Sequence, residues 1–202
     1  SWVCSVLKIT VTIEADKINR KLEGSGYTVD KLKRGVASYK HDDGHVVISV
    51  KGTDIKNKSD IISDVKLGLG FSANDKQFKN RRNDIKKIYK NTEGDKYLTG
   101  HSLGGSVGTS AMTKSKSIRD NTKGAEFFNS GYTKAFHKEL SDGVSKEVRK
   151  ELKDKVIQHH VVGDVVSDDL KNGSIGSVKK HKVNAGLLEK HSLDTIIDNL
   201  ED

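Results

Sequence analysis

The sequence predicts an α/β fold with a mostly parallel central sheet flanked by helices, formed as a single domain over residues 1–202. Three observations predict it. Strand-like runs alternate with helical periodicity through the middle of the chain, which is typical of parallel strands joined by helical crossovers. The 202 residues suit one full hydrophobic core, whereas a split would leave two marginal ones. A glycine-rich turn at residues 100–105 also connects a predicted strand directly to a predicted helix.

The first half of the chain contains strand and helix patterns in turn. Residues 7–13 alternate apolar and polar side chains and predict a strand, although helical spacing just after them leaves a helix as the alternative. An Asp-Asp-Gly turn between the apolar runs 36–40 and 46–50 predicts a β-hairpin. Residues 74–91 have helical spacing. The apolar side of this helix consists of Phe78, Ile85, Ile88 and Tyr89.

The second half alternates strands and helices more regularly. The predicted strands are 96–99, 125–130 and 156–162. The predicted helices are 102–116, 136–155 with a break near Gly143, and 192–200. A glycine-rich loop or hairpin joins the last of these strands to the last helix.

The composition is basic. Lys and Arg number 36 and Asp and Glu 28, which gives a formal net charge of +8. Such a surface favours anionic partners, either nucleic acid or acidic lipid headgroups, unless the lysines simply alternate with acids on a solvated surface. No basic run carries interleaved aromatic residues and no nucleic-acid motif is visible, which argues against nucleic acid. Peripheral contact with an anionic membrane surface is therefore an expectation, and the oligomeric state is left open.

Cysteine and hydropathy patterns bear on the compartment. The single cysteine, Cys4, excludes an internal disulfide framework. No apolar run approaches the roughly 18 to 20 residues needed to span a bilayer, and residues 2–13 lack the features of a signal peptide. We therefore expect a soluble chain. It begins with Ser1 rather than methionine, which fits a mature form or an excised domain, so the localisation is left open.

The sharpest motif is Gly-His-Ser-Leu-Gly-Gly at residues 100–105, which contains G-x-S-x-G around Ser102. Between a strand and a helix, this motif is typical of a nucleophilic serine in a turn too tight for neighbouring side chains. The following helix begins with free N–H groups, which favour developing negative charge. Ser102 is therefore the predicted nucleophile, and the backbone N–H of Leu103 is a predicted oxyanion donor. The alternative is a glycine-rich turn with a capping serine.

A serine hydroxyl needs a base, and the base needs a carboxylate to orient it. In this arrangement the chain order is serine, then acid, then histidine. Asp164 follows the strand 156–162 at the sheet edge where catalytic groups of α/β folds gather. It is favoured over Asp168 and Asp169, which lie further into a polar loop.

Two histidines follow this acid in the chain. His181 lies in a Lys-Lys-His-Lys stretch, whose charges disfavour the imidazolium that must form during catalysis. His191 stands where a loop gives way to the last helix. His159 and His160 come in the wrong order, and no adjacent carboxylate or cysteine spacing makes them a metal site. The predicted chemistry requires neither a metal nor an organic cofactor.

A second oxyanion donor is expected in a loop after an early strand. The apolar run 46–50 ends in Lys51-Gly52-Thr53, so Thr53 is the natural choice through its backbone N–H and its hydroxyl. An ordinary turn would look the same.

Together these residues resemble the class 3 lipase family, the fungal-type lipases and related phospholipases. The resemblance covers roughly residues 36–200. It implies an α/β-hydrolase fold, a triad of Ser102, Asp164 and His191, and an oxyanion hole from Thr53 and Leu103. The matching segments, in the family's order, are 47–53, 60–65, 100–105, 163–166 and 191–194.

The departures from the family concern the substrate pocket. Lys51 stands where the family usually has arginine, Ile61 replaces a common tryptophan, and residues 129–132 lack a Gly-x-Pro-Arg turn. The family's lid helix could only be short within residues 54–71, whose apolar side chains also suit a core.

The resemblance therefore implies an enzyme that hydrolyses carboxylic esters of lipids, and a short lid with a basic surface favours phospholipid. The alternatives are a non-lipid esterase or thioesterase with the same triad, and a catalytically inactive module that binds membranes or nucleic acid.

Overall fold

A computed structural model of the protein describes residues 22, 24–33, 35–52, 76–164, 166–167, 174–186 and 189–198. In this part of the chain seven strands form one sheet, and their spatial order follows the sequence. The strands are β1 (Tyr27–Lys33), β2 (Val36–His41), β3 (Val46–Val50), β4 (Lys96–His101), β5 (Thr122–Phe128), β6 (Val156–Val161) and β7 (Ser177–His181). β1, β2 and β3 pair antiparallel, and every pairing from β3 to β7 is parallel. The predicted fold class, a mostly parallel sheet flanked by helices, is confirmed.

Helices connect the parallel strands and end the described chain. They are α1 (Lys76–Lys90), α2 (Leu103–Lys114), α3 (Lys116–Asp120), α4 (Lys134–Ser141), α5 (Lys146–Lys155) and α6 (Leu193–Asp198), with a 3-10 turn at Glu189–His191. Ser145 and Thr133 accept backbone hydrogen bonds at the starts of α5 and α4, which satisfies N–H groups that have no partner within the helix. None of the described helices is long and apolar enough to cross a bilayer.

The sheet is buried on both faces because alternate residues of a strand point to opposite sides. On one face Val46, Ile48 and Val50 of β3 join the large core that also contains the apolar sides of α1 to α5. On the other face Val47 packs with Tyr39 of β2. Further along this second face lies a smaller cluster formed by Phe128, Val161, Leu193 and Ile196. The last helix therefore packs beside the ends of β5 and β6.

Most predicted elements are confirmed within a few residues. The hairpin over 36–50 forms as expected, and the four apolar residues of α1 are all buried. The predicted helix 136–155 is two helices, separated by Gly143 at a φ of 72°. Two edge strands were missed, however: β1 was not predicted at all, and β7 was interpreted as a loop or hairpin.

Several predictions fall outside the described residues. They are the strand at 7–13, Cys4, the possible lid within 54–71, Thr53, Asp168 and Asp169.

Candidate active site

Ser102 lies in the turn between β4 and α2, and its backbone is strained there. Its φ is 55° and its ψ is −125°, which non-glycine residues adopt only when the surrounding structure enforces it. Close packing of the surrounding backbone holds Ser102 in this conformation. A side-chain carbon on Gly100 would lie 2.6 Å from the carbonyl carbon of Gly104, and one on Gly104 would overlap the carbonyl oxygen of Val50. The two glycines that flank the serine in the motif are therefore required by sterics.

The turn is also held by hydrogen bonds from the chain around it. The backbone N–H of Ser102 donates to the carbonyl of Phe128 at 3.0 Å. The Ser102 carbonyl accepts the N–H groups of Ser106 and Gly131, each at 3.2 Å. The end of β5 and the start of α2 thus fix the position from which the Ser102 hydroxyl projects.

Ser102, His191 and Asp164 form one line of hydrogen bonds. His191 Nε2 lies 2.9 Å from Ser102 Oγ, and His191 Nδ1 lies 3.0 Å and 3.1 Å from the two oxygens of Asp164. All three residues are buried, Asp164 completely. Because an ionised carboxylate only accepts hydrogen bonds, Asp164 accepts one from His191 Nδ1–H, and Nε2 is then free to accept a hydrogen bond from the Ser102 hydroxyl.

The Asp164 carboxylate remains charged although it is buried. Burial by itself would raise its pKa, but hydrogen bonds from His191, Ser167 and the backbone N–H of Val166 outweigh burial and lower the pKa. The Ser167 hydroxyl donates to Asp164 Oδ2 at 2.5 Å, and the Ser167 N–H donates to the same oxygen at 3.2 Å. The short loop after β6 therefore supplies donors that keep the carboxylate ionised and oriented.

Two side chains hold the segment that carries His191. His101 Nε2–H donates to the carbonyl of His191 at 2.8 Å, and Asn129 Nδ2–H donates to the carbonyl of Lys190 at 2.8 Å. Burial, with a smaller contribution from the nearby His191, lowers the pKa of His101 to about 3. His101 is thus neutral at physiological pH, so it orients the neighbouring imidazole without adding a competing positive charge.

Leu103 is the first residue of α2, a position whose backbone N–H has no partner within its own helix. This places a donor directly beside Ser102. Gly52 comes close from the other side, since a side-chain carbon there would lie 2.9 Å from the carbonyl oxygen of His101. Thr53, the next residue, lies outside the described part of the chain.

The structure thus brings together Ser102, Asp164 and His191, with Leu103 beside them. It places His181 elsewhere: this residue ends β7, and its Nε2 lies 2.9 Å from His159 Nδ1.

Three supporting residues were missed by sequence reasoning. They are His101, Asn129 and Ser167. Their positions were visible, since His101 lies inside the 100–105 motif, Asn129 lies within the predicted strand 125–130 and Ser167 directly follows the segment 163–166. The partners of His101 and Asn129, however, lie 90 and 61 residues away in the chain.

Comparison with known proteins agrees with this architecture. The family model of Tle-like phospholipase domains matches residues 19–200. No curated protein sequence matches the chain.

Among solved structures, lipase II from Rhizopus niveus is similar, with a TM-score of 0.52 and 11% identity, covering 92% of this chain and 80% of the lipase. A mutant form of MDLA from Penicillium cyclopium also has a TM-score of 0.52, with 15% identity over 92% of this chain and 78% of that one. These likenesses support a common fold. With nearly its whole length matched by the family model, the chain belongs to the Tle-like phospholipase domain family.

Proposed function

We propose that this protein is a serine hydrolase that cleaves carboxylic-ester bonds of phospholipids, with Ser102 as nucleophile, His191 as base and Asp164 as the orienting acid. The observation that carries the proposal is the hydrogen-bonded line Ser102–His191–Asp164, set at a strained turn between a strand and a helix. The same arrangement resembles that of class 3 lipases, to which we propose a distant relationship.

The reaction follows from the proton positions in this line. His191 Nε2 takes the proton of Ser102 as Oγ attacks the ester carbonyl, and the tetrahedral oxyanion receives the N–H of Leu103 and a donor from Thr53. Collapse breaks the bond between carbonyl carbon and alcohol oxygen, and His191 returns the proton to the leaving alcohol. A water molecule, deprotonated by His191, then attacks the acyl-enzyme, and His191 passes that proton to Ser102 Oγ as the bond from Oγ to the acyl carbon breaks and the carboxylic acid leaves.

The substrate class rests on family and charge together. Members of the matched family are described as phospholipase-like. The net charge of +8 favours a surface that carries anionic headgroups over one made of neutral esters. We further propose that residues 1–202 form one domain, because strands from Tyr27 to His181 all belong to the same sheet.

The direct test is fatty-acid release from defined lipids. We expect phosphatidylglycerol vesicles to be hydrolysed at least tenfold faster than triacylglycerol emulsions or short p-nitrophenyl esters. The rate on anionic vesicles is expected to fall as salt is raised, because ionic strength screens attraction between the basic protein and the lipid surface. Phosphatidylcholine vesicles, which lack net charge, provide the matched control for that attraction.

Two results would contradict the proposal. Hydrolysis confined to short soluble esters would identify a non-lipid esterase or thioesterase. Vesicle binding with no turnover on any substrate would identify an inactive binding module with a hydrolase fold.

His101 is expected to act as a positioning residue for His191. Replacing it with leucine removes the donor to the His191 carbonyl while keeping a similar volume. A displacement of the base by about 1 Å is enough to cost about 100-fold in rate. We therefore expect His101→Leu to lower kcat by about 10- to 100-fold with little change in KM, measured on the preferred ester.

The glutamine variant distinguishes positioning from packing. A Gln side chain can present an amide N–H near the place of Nε2–H, so His101→Gln should recover most of the lost kcat. His137→Gln changes a histidine that contacts Tyr132 instead, and it serves as the control. Equal losses in His101→Leu and His101→Gln would argue against the hydrogen bond as the cause.

A further inference from the structure

We propose that the β2–β3 hairpin holds a divalent transition-metal ion of the zinc class through His41, Asp43 and His45. These three residues form a His-x-Asp-x-His pattern around the turn, and one ligand atom from each lies within 4.8 Å of the other two. Two imidazoles and one carboxylate are a donor set that suits zinc and related divalent metals. The inference is independent of the proposed esterase function.

The donor atoms lie close together in the turn. Asp43 Oδ1 lies 3.1 Å from His41 Nδ1 and 2.5 Å from His45 Nδ1. Ligands about 2.0–2.1 Å from a shared tetrahedral zinc ion are themselves about 3.3 Å apart. The 3.1 Å pair is close to that spacing, and the 2.5 Å pair needs to open by about 0.8 Å to admit the ion.

The contacts in the turn are ones that a bound cation would replace. The lone pair of His41 Nδ1 accepts the backbone N–H of Asp43 at 3.3 Å, a long hydrogen bond that a metal at this nitrogen would displace. The Asp43 side chain is exposed, and its Oδ1 lies against a ring nitrogen of each histidine, so a carboxylate oxygen is available as the third ligand. A cation shared by the three ligand atoms would be attracted by the negative carboxylate.

The surrounding residues keep the two rings in place. The rings of His41 and His45 stack with centroids 4.6 Å apart, and Tyr27 packs against both. His41 Nε2 lies where a side-chain carbon on Gly26 would be 2.7 Å away, so only glycine leaves room for this ring. Little side-chain freedom is lost on binding, because packing has already removed it.

Tyr27 also supplies a hydrogen-bond partner for the ring nitrogen of His45 that would not bind the metal. Its hydroxyl lies 2.7 Å from His45 Nε2. When Nδ1 of a histidine binds a metal, the other nitrogen carries the proton and usually donates it to an oxygen, which fixes the ring. The side chain of Asp43 is 60% exposed, so water can fill the remaining coordination positions.

The site is far from Ser102. The hairpin turn borders the start of β4, since the N–H of Val46 donates to the carbonyl of Asp95, whereas Ser102 follows the end of that strand. Six strand residues at about 3.3 Å each separate them by about 20 Å. A metal here would not take part in ester cleavage. It would stabilise the antiparallel part of the sheet, which consists of β1, β2 and β3.

The test is zinc titration of the chelator-treated full chain by isothermal calorimetry. We expect one Zn²⁺ per chain at this site, bound by neutral imidazoles, with the single ring proton of His45 moved from Nδ1 to Nε2 beside the Tyr27 hydroxyl. A free Zn²⁺ concentration of about 100 times Kd should raise Tm by about 5–10 °C.

Substitutions of the ligands test whether these residues bind the zinc. Asp43→Asn and His41→Gln should each weaken this binding at least tenfold and abolish the rise in Tm, while ester turnover stays at the wild-type level. Asp42→Asn changes the neighbouring acid of the same turn and should bind zinc like the wild type. The proposal is overturned if the wild type binds no zinc, if both ligand variants bind it unchanged, or if Asp42→Asn loses as much affinity as Asp43→Asn.

Discussion

Replacing Ser102 with alanine is expected to lower kcat for ester hydrolysis by about 10⁴- to 10⁶-fold. The variant has no oxygen to attack the carbonyl, so the acyl-enzyme cannot form. What remains is substrate binding and oxyanion stabilisation by backbone donors, which together give only weak catalysis over water. The fold should be unaffected, because the only side-chain partner of Ser102 Oγ in the described residues is His191.

The measurement is fatty-acid release from phosphatidylglycerol vesicles at saturating lipid, together with labelling by a fluorophosphonate. The wild type should gain the mass of one phosphonyl group and the variant none. Ser117→Ala makes the same chemical change at an exposed site on α3 and should leave turnover intact. Turnover by Ser102→Ala within tenfold of the wild type would show that another group is the nucleophile.

Replacing Asp164 with asparagine is expected to lower kcat by about 10⁴-fold with the fold preserved. Asparagine is similar in shape, but its amide can donate an N–H to His191 Nδ1, where the carboxylate accepts one. The imidazole would then carry its proton on Nε2, facing Ser102 Oγ at 2.9 Å. A protonated Nε2 cannot act as a base, so the hydroxyl is no longer activated.

The stability of the same variant gives a second readout. The pKa of Asp164 is lower in the folded protein than in the unfolded chain. Its charge therefore stabilises the fold above about pH 4, and this contribution is lost as pH falls through the folded pKa. Asp164→Asn removes that pH-dependent part of the free energy of unfolding. Asp154→Asn makes the same change at an exposed position on α5 and is the control for both measurements. Undiminished turnover by Asp164→Asn would show that Asp164 is not part of the triad.

The central elements of this fold could be predicted from local patterns because those elements are strongly periodic. The hairpin strands β2 and β3 are apolar runs on either side of a Gly-containing turn, and α1 buries one regular face. Within the described residues, both of the missed strands lie at edges of the sheet. β1 has the pattern Tyr-Thr-Val-Asp-Lys-Leu-Lys and β7 has Ser-Val-Lys-Lys-His. An edge strand is covered less completely and has one neighbour, so its sequence need not carry the apolar signal of a central strand.

The sequence by itself determined the strand–serine–helix turn, because Gly100, Ser102 and Gly104 stand within one short motif and Gly100 packs directly against Gly104. The contact of Gly104 with the carbonyl of Val50 was decided by the tertiary structure. The sequence also determined the order of serine, acid and histidine. Local charge already disfavoured His181 as the base, and the resemblance strengthened the preference for His191.

Tertiary structure decided which histidine contacts Ser102. His191 Nε2 lies 2.9 Å from Ser102 Oγ although the two residues are 89 positions apart in the sequence, while His181 contacts His159. It also decided that His101, Asn129 and Ser167 support the site and that His41, Asp43 and His45 converge at the far edge of the sheet. The physical reason is that local sequence specifies turns and periodic faces. Hydrogen bonds between distant side chains depend on how the completed sheet brings its strand ends together.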